Sequence, residues 1–363
     1  MSKFSRLDML ASLGTGIAVN VSVGTAGAVD PRQGVTEHWK RNTESELLSP
    51  IATSKNALYF GKENSIVSLT VTGDQRWINQ LNGGRIKSRP IVDGDSVFVS
   101  AFNKVYSIDR PTGEINWSVE TGWGGNSSPS VTGDGLYVSS GASGDESSGA
   151  VLRIERESGR KAWEYSLNGD SWSQPALRGD SVFGADRAGN IHAIDRQTGT
   201  EVWRQNIGNE ITTSISTSRH GIYVVSDDGS LYVLNPRDGS QLSAWSVGHP
   251  LVGTKPITSN QKLYVSSGSK VHTFDLKNQQ KLWEKEVGTA VTRPVVKGGS
   301  IYYTTMGNAI ESTASESGTE NWRVEFPRVQ RSDMVFDSIT HPPEVLGNQL
   351  YVATRGGSIY ALG

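Results

Sequence analysis

Tryptophan returns at positions 39, 77, 117, 163, 203, 245, 283 and 322, at intervals of 38, 40, 46, 40, 42, 38 and 39 residues. Seven of the eight close a short pattern whose clearest copy is Ala193–Trp203, AIDRQTGTEVW. An alternating strand runs into Asp195, a Thr198-Gly199 turn follows, and a second strand carries the Trp. Glycine suits a hairpin position of positive φ, and the indole is large enough to cement one sheet onto the next. A single hairpin of this kind is marginal in water. Repetition near every forty residues, with four strands per repeat, predicts the blades of a β-propeller.

The other copies keep the pattern with variable fidelity. They are Ser107–Trp117, Arg153–Trp163, Thr273–Trp283 and Ser312–Trp322, with small indels expected in Ser68–Trp77 and Val233–Trp245. Ahead of each hairpin stands an aromatic-rich strand, such as Leu58-Tyr59-Phe60 or Leu136-Tyr137-Val138. Ahead of that, a proline opens an inner strand: Pro50, Pro90, Pro129, Pro175, Pro256, Pro294 and Pro343, with Ser214 in its place in the fifth repeat. Proline lacks a ladder donor and belongs at a strand's first residue. The last copy, Gly356–Gly363, stops after a third strand, whereas Glu37-His38-Trp39 precedes any strand it could follow. The N-terminal strand is therefore expected to complete the last blade, which closes the ring and removes an open sheet edge. The reading is all-β: one eight-bladed propeller of four-stranded antiparallel blades over residues 35–363.

The pattern resembles the tryptophan-docking motif of the pyrroloquinoline-quinone (PQQ)-like propeller repeats, which occur in quinoprotein alcohol dehydrogenases and in the β-barrel assembly lipoprotein BamB. The motif has Asp…Thr/Ser-Gly…Trp and no Trp-Asp dipeptide, so a WD-repeat propeller fits less well. The resemblance covers residues 35–363. It implies that Trp39, Trp77, Trp117, Trp163, Trp203, Trp245, Trp283 and Trp322 pack across blade interfaces as a structural girdle. It also implies a role in envelope protein assembly, or, as the alternative, a quinoprotein-type oxidoreductase.

Composition narrows the function. Lys and Arg total 35 against 37 Asp and Glu, a net charge of −2, which argues against nucleic acid as a partner held by bulk charge. No cysteine is present, which excludes disulfides, cysteine-ligated zinc, CxxCH haem attachment and a lipoprotein cysteine. Residues 1–28 read as an export signal: a lightly basic start, a weakly apolar run over Leu13–Val23, and Ala26-Gly27-Ala28 as a small-x-small cleavage site. Ser5-Arg6-Leu7-Asp8-Met9-Leu10 resembles a twin-arginine signal with Leu7 standing at the second arginine. The expectation is an exported protein at the cell surface, in the periplasm or outside the cell, associated with the envelope without its own membrane anchor.

Catalytic patterns are weak. The six histidines show no H-E-x-x-H spacing. Ser267-Gly268-Ser269-Lys270 matches S-x-x-K but reads as a strand-connecting turn. Asp93-Gly94-Asp95, Asp145-Glu146 and Asp227-Asp228-Gly229 read as tight turns and solvated loops rather than calcium sites. No cofactor is expected.

What remains is surface. Trp123 and Trp172 lie outside the docking register, in loops that join an outer strand to the next inner strand. They should emerge on one face, beside the enlarged loop Gly141–Gly149, as a hot spot for a protein or peptide. Arg89, Lys255 and Arg293 directly precede blade-opening prolines, and His341 lies one residue further out. These positions should ring the mouth of the central channel, where an anion or carboxylate-bearing peptide could bind. The insertion Phe326–Thr340 breaks the period in a loop of the same type. The resulting expectation is a monomeric, non-catalytic scaffold that binds a protein partner, with an enzyme using the central funnel as the alternative.

Overall fold

The computed structural model describes residues 35–122, 127–141, 148–250, 254–289, 291–327, 330–332 and 335–363. The export signal at 1–28, Trp123, residues 142–147 of the enlarged loop, and the side chains of 328–336 lie outside the described residues.

The first strand, β1 (Glu37–Asn42), belongs to the last blade. The first blade then follows as β2 (Ala52–Ser54), β3 (Ala57–Lys62), β4 (Ser65–Thr70) and β5 (Gln75–Gln80), from the axis outward. The same antiparallel order repeats over residues 91–120, 130–166, 176–206, 216–246, 257–286 and 295–325. The eighth blade takes its three inner strands from Glu344–Leu346, Gln349–Ala353 and Ser358–Leu362, and β1 pairs onto the last of these. Thr36 and Gly363 exchange backbone hydrogen bonds of 2.8 and 3.0 Å at the seam. The chain is thus an eight-bladed propeller closed by its N-terminal strand. A two-stranded hairpin, Gln330–Ser332 with Val335–Phe336, stands inside the insertion that reads as a loop in the sequence. Asp337 ties its return to the eighth blade, accepting from Gly356 N at 2.7 Å and Thr354 Oγ1 at 2.9 Å.

The apolar core is not one mass. It divides into eight clusters, each filling the gap between two neighbouring blades and each containing or flanked by one of the eight repeat tryptophans. Six of those indoles donate Nε1–H to a backbone carbonyl of the next blade. Trp39 reaches Val71 at 2.9 Å, Trp77 Arg110 at 3.0 Å, and Trp117 Arg156 at 2.9 Å. Trp163 reaches Arg196 at 3.0 Å, Trp203 Pro236 at 3.2 Å, and Trp283 Ser315 at 3.3 Å. Each receiving turn carries its glycine against the ring. At Gly199 (φ 74°) an added Cβ would fall 2.7 Å from the Trp163 indole, and at Gly113 (φ 82°) 2.6 Å from Trp77. Both the backbone conformation and the space require glycine there.

Two tryptophans depart from the rule. Trp322 faces the blade whose third and outer strands come from opposite ends of the sequence, so no hairpin turn receives it. Trp245 is out of register. A β-bulge precedes the docking Trp in its strand, so that Ala193 pairs with Trp203 and Ile194 with Glu201. In the fifth blade the equivalent pairs are Val233 with Ser243 and Leu234 with Gln241, which puts Trp245 two residues late, opposite Leu231. The turn before it has the standard hydrogen bonds and no indel. Trp245 instead stacks on Phe274 of the next blade at 4.8 Å and 32°. The glycine it would have met is absent as well: Gln279 stands there at φ 52°.

These contacts give opposite expectations for two substitutions. Gly199→Ala forces Ala into the left-handed region and against an indole, so it destabilises by about 2 kcal/mol or more. Gln279→Gly relieves the same backbone strain with no ring in the way and gains up to about 1 kcal/mol. Thermal and urea unfolding midpoints would show a fall for the first and a rise or no change for the second.

Candidate functional site

The strand ladders fix which residue of each blade faces the axis just ahead of its inner strand. Ala52 pairs with Tyr59, Ile91 with Phe98 and Ser216 with Tyr223, which aligns the blades without reference to the prolines. In this register Ile51 and Ile215 take the place held by proline elsewhere. Pro50 and Ser214 stand one residue earlier, beside Arg89, which corrects the sequence alignment of the first and fifth repeats. The ring position therefore holds Pro50, Arg89, Ser128, Gln174, Ser214, Lys255, Arg293 and Pro342, one per blade. All eight line a single cavity of about 530 Å³ at the channel mouth, within the size range of ligand pockets.

The structure brings Arg89, Lys255, Arg293, His341 and Trp172 together in this cavity, joining the funnel residues to one of the two off-register tryptophans. Trp123 lies outside the described residues, and its place beside Trp172 is not seen. Trp172 is 40% exposed and stacks under the Arg187 guanidinium at 4.7 Å. Sequence reading missed Lys87, which shares the loop of Arg89 two residues earlier and also lines the cavity. It missed Glu344 too, the acid that answers Arg89 from the eighth blade.

The charges are unequal. Arg89 Nη2 donates to Glu344 Oε1 at 2.7 Å, and the same oxygen accepts from Thr53 Oγ1 at 2.9 Å. Among the described residues Lys255 Nζ donates only to the neutral Gln174 Oε1, at 3.2 Å. Neither Lys87 nor Arg293 hydrogen-bonds or ion-pairs with any described residue. None of the described lining residues is acidic. Blades two and six lie opposite in an eight-membered ring, so Arg89 faces Lys255 across the axis while Arg293 neighbours Lys255. Burial, then the Arg293 and Arg89 charges, push the Lys255 ammonium down to about 8. Burial and Arg89 push the Arg293 guanidinium down to about 10. His341 adds no charge. Burial lowers its basicity, and its ring donates Nε2–H to the Leu47 carbonyl at 3.0 Å.

The remaining ring side chains supply donors. Ser128 Oγ accepts Arg89 N–H at 2.9 Å and Ser214 Oγ accepts Gln174 N–H at 3.1 Å, which leaves both hydroxyl protons for the cavity. Below the ring lies a second cavity of about 430 Å³ lined by the inner strands. Ile91, Gln174 and Lys255 line both, so Lys255 and Gln174 stand at the neck between them. Among the described residues no group of three His, Cys, Asp or Glu could hold a metal ion.

Because Lys255 is less basic folded than its ordinary 10.5, it destabilises the native state while charged. Below about pH 8 both states are protonated and the full penalty applies. Between 8 and 10.5 the unfolded chain binds the proton more tightly, so stability rises with pH. Lys255→Gln should therefore melt higher than wild type at pH 7. The gap should narrow as pH climbs past 8, as followed by thermal melts from pH 6 to 10.

The family model described as "Outer membrane protein assembly factor BamB" matches residues 22–174, 147–292 and 247–323, overlapping as repeats do. Among curated proteins none matches. BamB from Moraxella catarrhalis is similar in structure, with TM-score 0.72 and 19% identity over 90% of this chain and 99% of that one. A europium-containing methanol dehydrogenase gives 0.72 and 12% over 93% and 95%. Quinohemoprotein alcohol dehydrogenase from Comamonas testosteroni gives 0.70 and 12% over 91% and 76%. At these identities the structures share the fold.

Proposed function

We propose a function from the premise that this chain belongs to the family described as outer membrane protein assembly factor BamB: it is a non-catalytic scaffold, exported to the cell envelope, that binds a protein partner through its channel-mouth face. The observation that carries this reading is the chemistry of the mouth. Among the described residues its lining includes hydroxyls, an amide, cations and an exposed Trp, with no carboxylate and with the His341 imidazole already committed to Leu47. Such a set recognises; it has no paired nucleophile and base to carry a reaction.

The dehydrogenase fold suggests a bound quinone with a hard metal ion. A hard cation needs several oxygen donors, carboxylates chief among them, and the mouth offers cations in that space. The residues present do not fit the metal. The exposed Trp172 at the rim has instead the character of an interface anchor.

Affinity capture of the tagged chain from its own host, after mild cross-linking, would test the reading. Wild type should retain a stoichiometric protein partner, and Trp172→Ala should lose most of it while melting within a few degrees of wild type. Dye reduction with alcohols after reconstitution with quinone and calcium or a lanthanide should stay at background. Turnover in that assay, or capture unchanged by Trp172→Ala, would overturn the proposal.

A further inference from the structure

The mouth gathers more positive charge than its surroundings need. Lys255, Arg293 and Lys87 converge on a cavity where, among the described residues, the nearest acid is Glu344, already held by Arg89 and Thr53. Like charges brought together in a partly dehydrated space repel strongly. No packing requirement explains Lys255 and Arg293, since the same ring position is served by Ser, Gln or Pro in other blades. An anion bound between them would be attracted by the whole set at once and would receive hydrogen bonds from Ser128 and Ser214.

We propose that the channel mouth is a carboxylate-recognition site, in which Lys255 and Arg293 hold an Asp- or Glu-rich segment of the polypeptide partner inserted along the axis. This rests on the scaffold reading and names what the mouth recognises. A chain segment fits better than a lone small anion because the space is elongated. The upper cavity runs through the Lys255–Gln174 neck into a second, whose walls mix hydroxyls such as Ser216 and Thr258 with apolar Val131 and Leu177. A carboxylate at the neck leaves the following residues to rise past Trp172 at the rim. Charge-assisted hydrogen bonds at the neck would supply the selectivity for acid over amide.

Calorimetric titration of the purified chain with a six-residue Glu/Asp peptide tests this without the natural partner. The controls are the matching Gln/Asn peptide, succinate and inorganic phosphate. The acidic peptide should bind at 50 mM salt, at least tenfold more tightly than succinate or phosphate, and the amide peptide should not bind. Lys255→Gln/Arg293→Gln should weaken binding at least tenfold while melting no lower than wild type. Lys277→Gln, in a turn on the opposite face, should leave it unchanged. Binding should weaken at 300 mM salt, as the Debye length shortens. It should also weaken from pH 6.5 to pH 9.5, as Lys255, held down to about 8, loses its proton and Arg293, held down to about 10, begins to lose its own. Lys87, Arg89 and His341 are the other titratable side chains lining the mouth among the described residues, and Glu344 answers Arg89. No peptide binding, binding unchanged in the double variant, or small anions binding as tightly as the peptide would each overturn the proposal. A partner captured through Trp172 by a mouth that ignores the acidic peptide would sink this inference and leave the scaffold reading standing.

Discussion

Everything in this molecule depends on an indole seated on a glycine of the next blade. The indole completes the apolar gap between two sheets and its N–H reaches a carbonyl of the receiving turn. The glycine is what lets it come close. Neither half has value without the other, and the fifth-to-sixth interface demonstrates the coupling. There Ser243 occupies the docking position and Gln279 the glycine position, so both halves are gone together. Trp245 fills the gap from two residues away by stacking on Phe274. One interface has solved the same packing problem differently while the ring remains closed.

Because six of the eight interfaces carry the same lock and the ring is closed, the eight inner strands begin at equivalent heights around the axis. That equivalence assembles the channel mouth. Arg89, Lys255 and Arg293 are far apart in sequence and share no local element, yet one repeated register brings them to a common cavity. The resulting charge imbalance sits in a chain that is nearly neutral overall. It is therefore a local feature of the axis and not a reflection of bulk composition, and Glu344, the acid that tempers it among the described residues, is committed to one of the three.

Much of this was legible in the sequence because the repeat is written in residues with strong conformational demands. The Trp spacing, the Asp…Gly turn and the missing outer strand at the C-terminus were enough for eight blades and their closure. The funnel cations could be placed because proline marks the start of an inner strand. Registers that depend on backbone pairing were not legible. The bulge before each Trp leaves no residue signature, so Trp245 reads as a docking residue; Pro50 reads as a strand opener because only the ladder shows that Ile51 holds that place. Trp172 and the cations read as two separate candidates, since the loop bearing Trp172 has no mark to show that it leans over the axis. Lys87 and Glu344 escaped because each lies off the position that the proline points to.

The ring position has a consequence for how such a protein can change. Each of its eight side chains belongs to a different sheet and lies two residues ahead of the first paired residue, away from the indole–glycine locks. Pro, Ser, Gln, Arg and Lys are all accommodated there in this one chain. The fold thus separates the residues that determine shape from those that determine what is recognised. A descendant gene could exchange mouth residues singly, sampling acidic, basic or apolar preferences, without first having to find a compensating change in the interfaces that keep the ring shut.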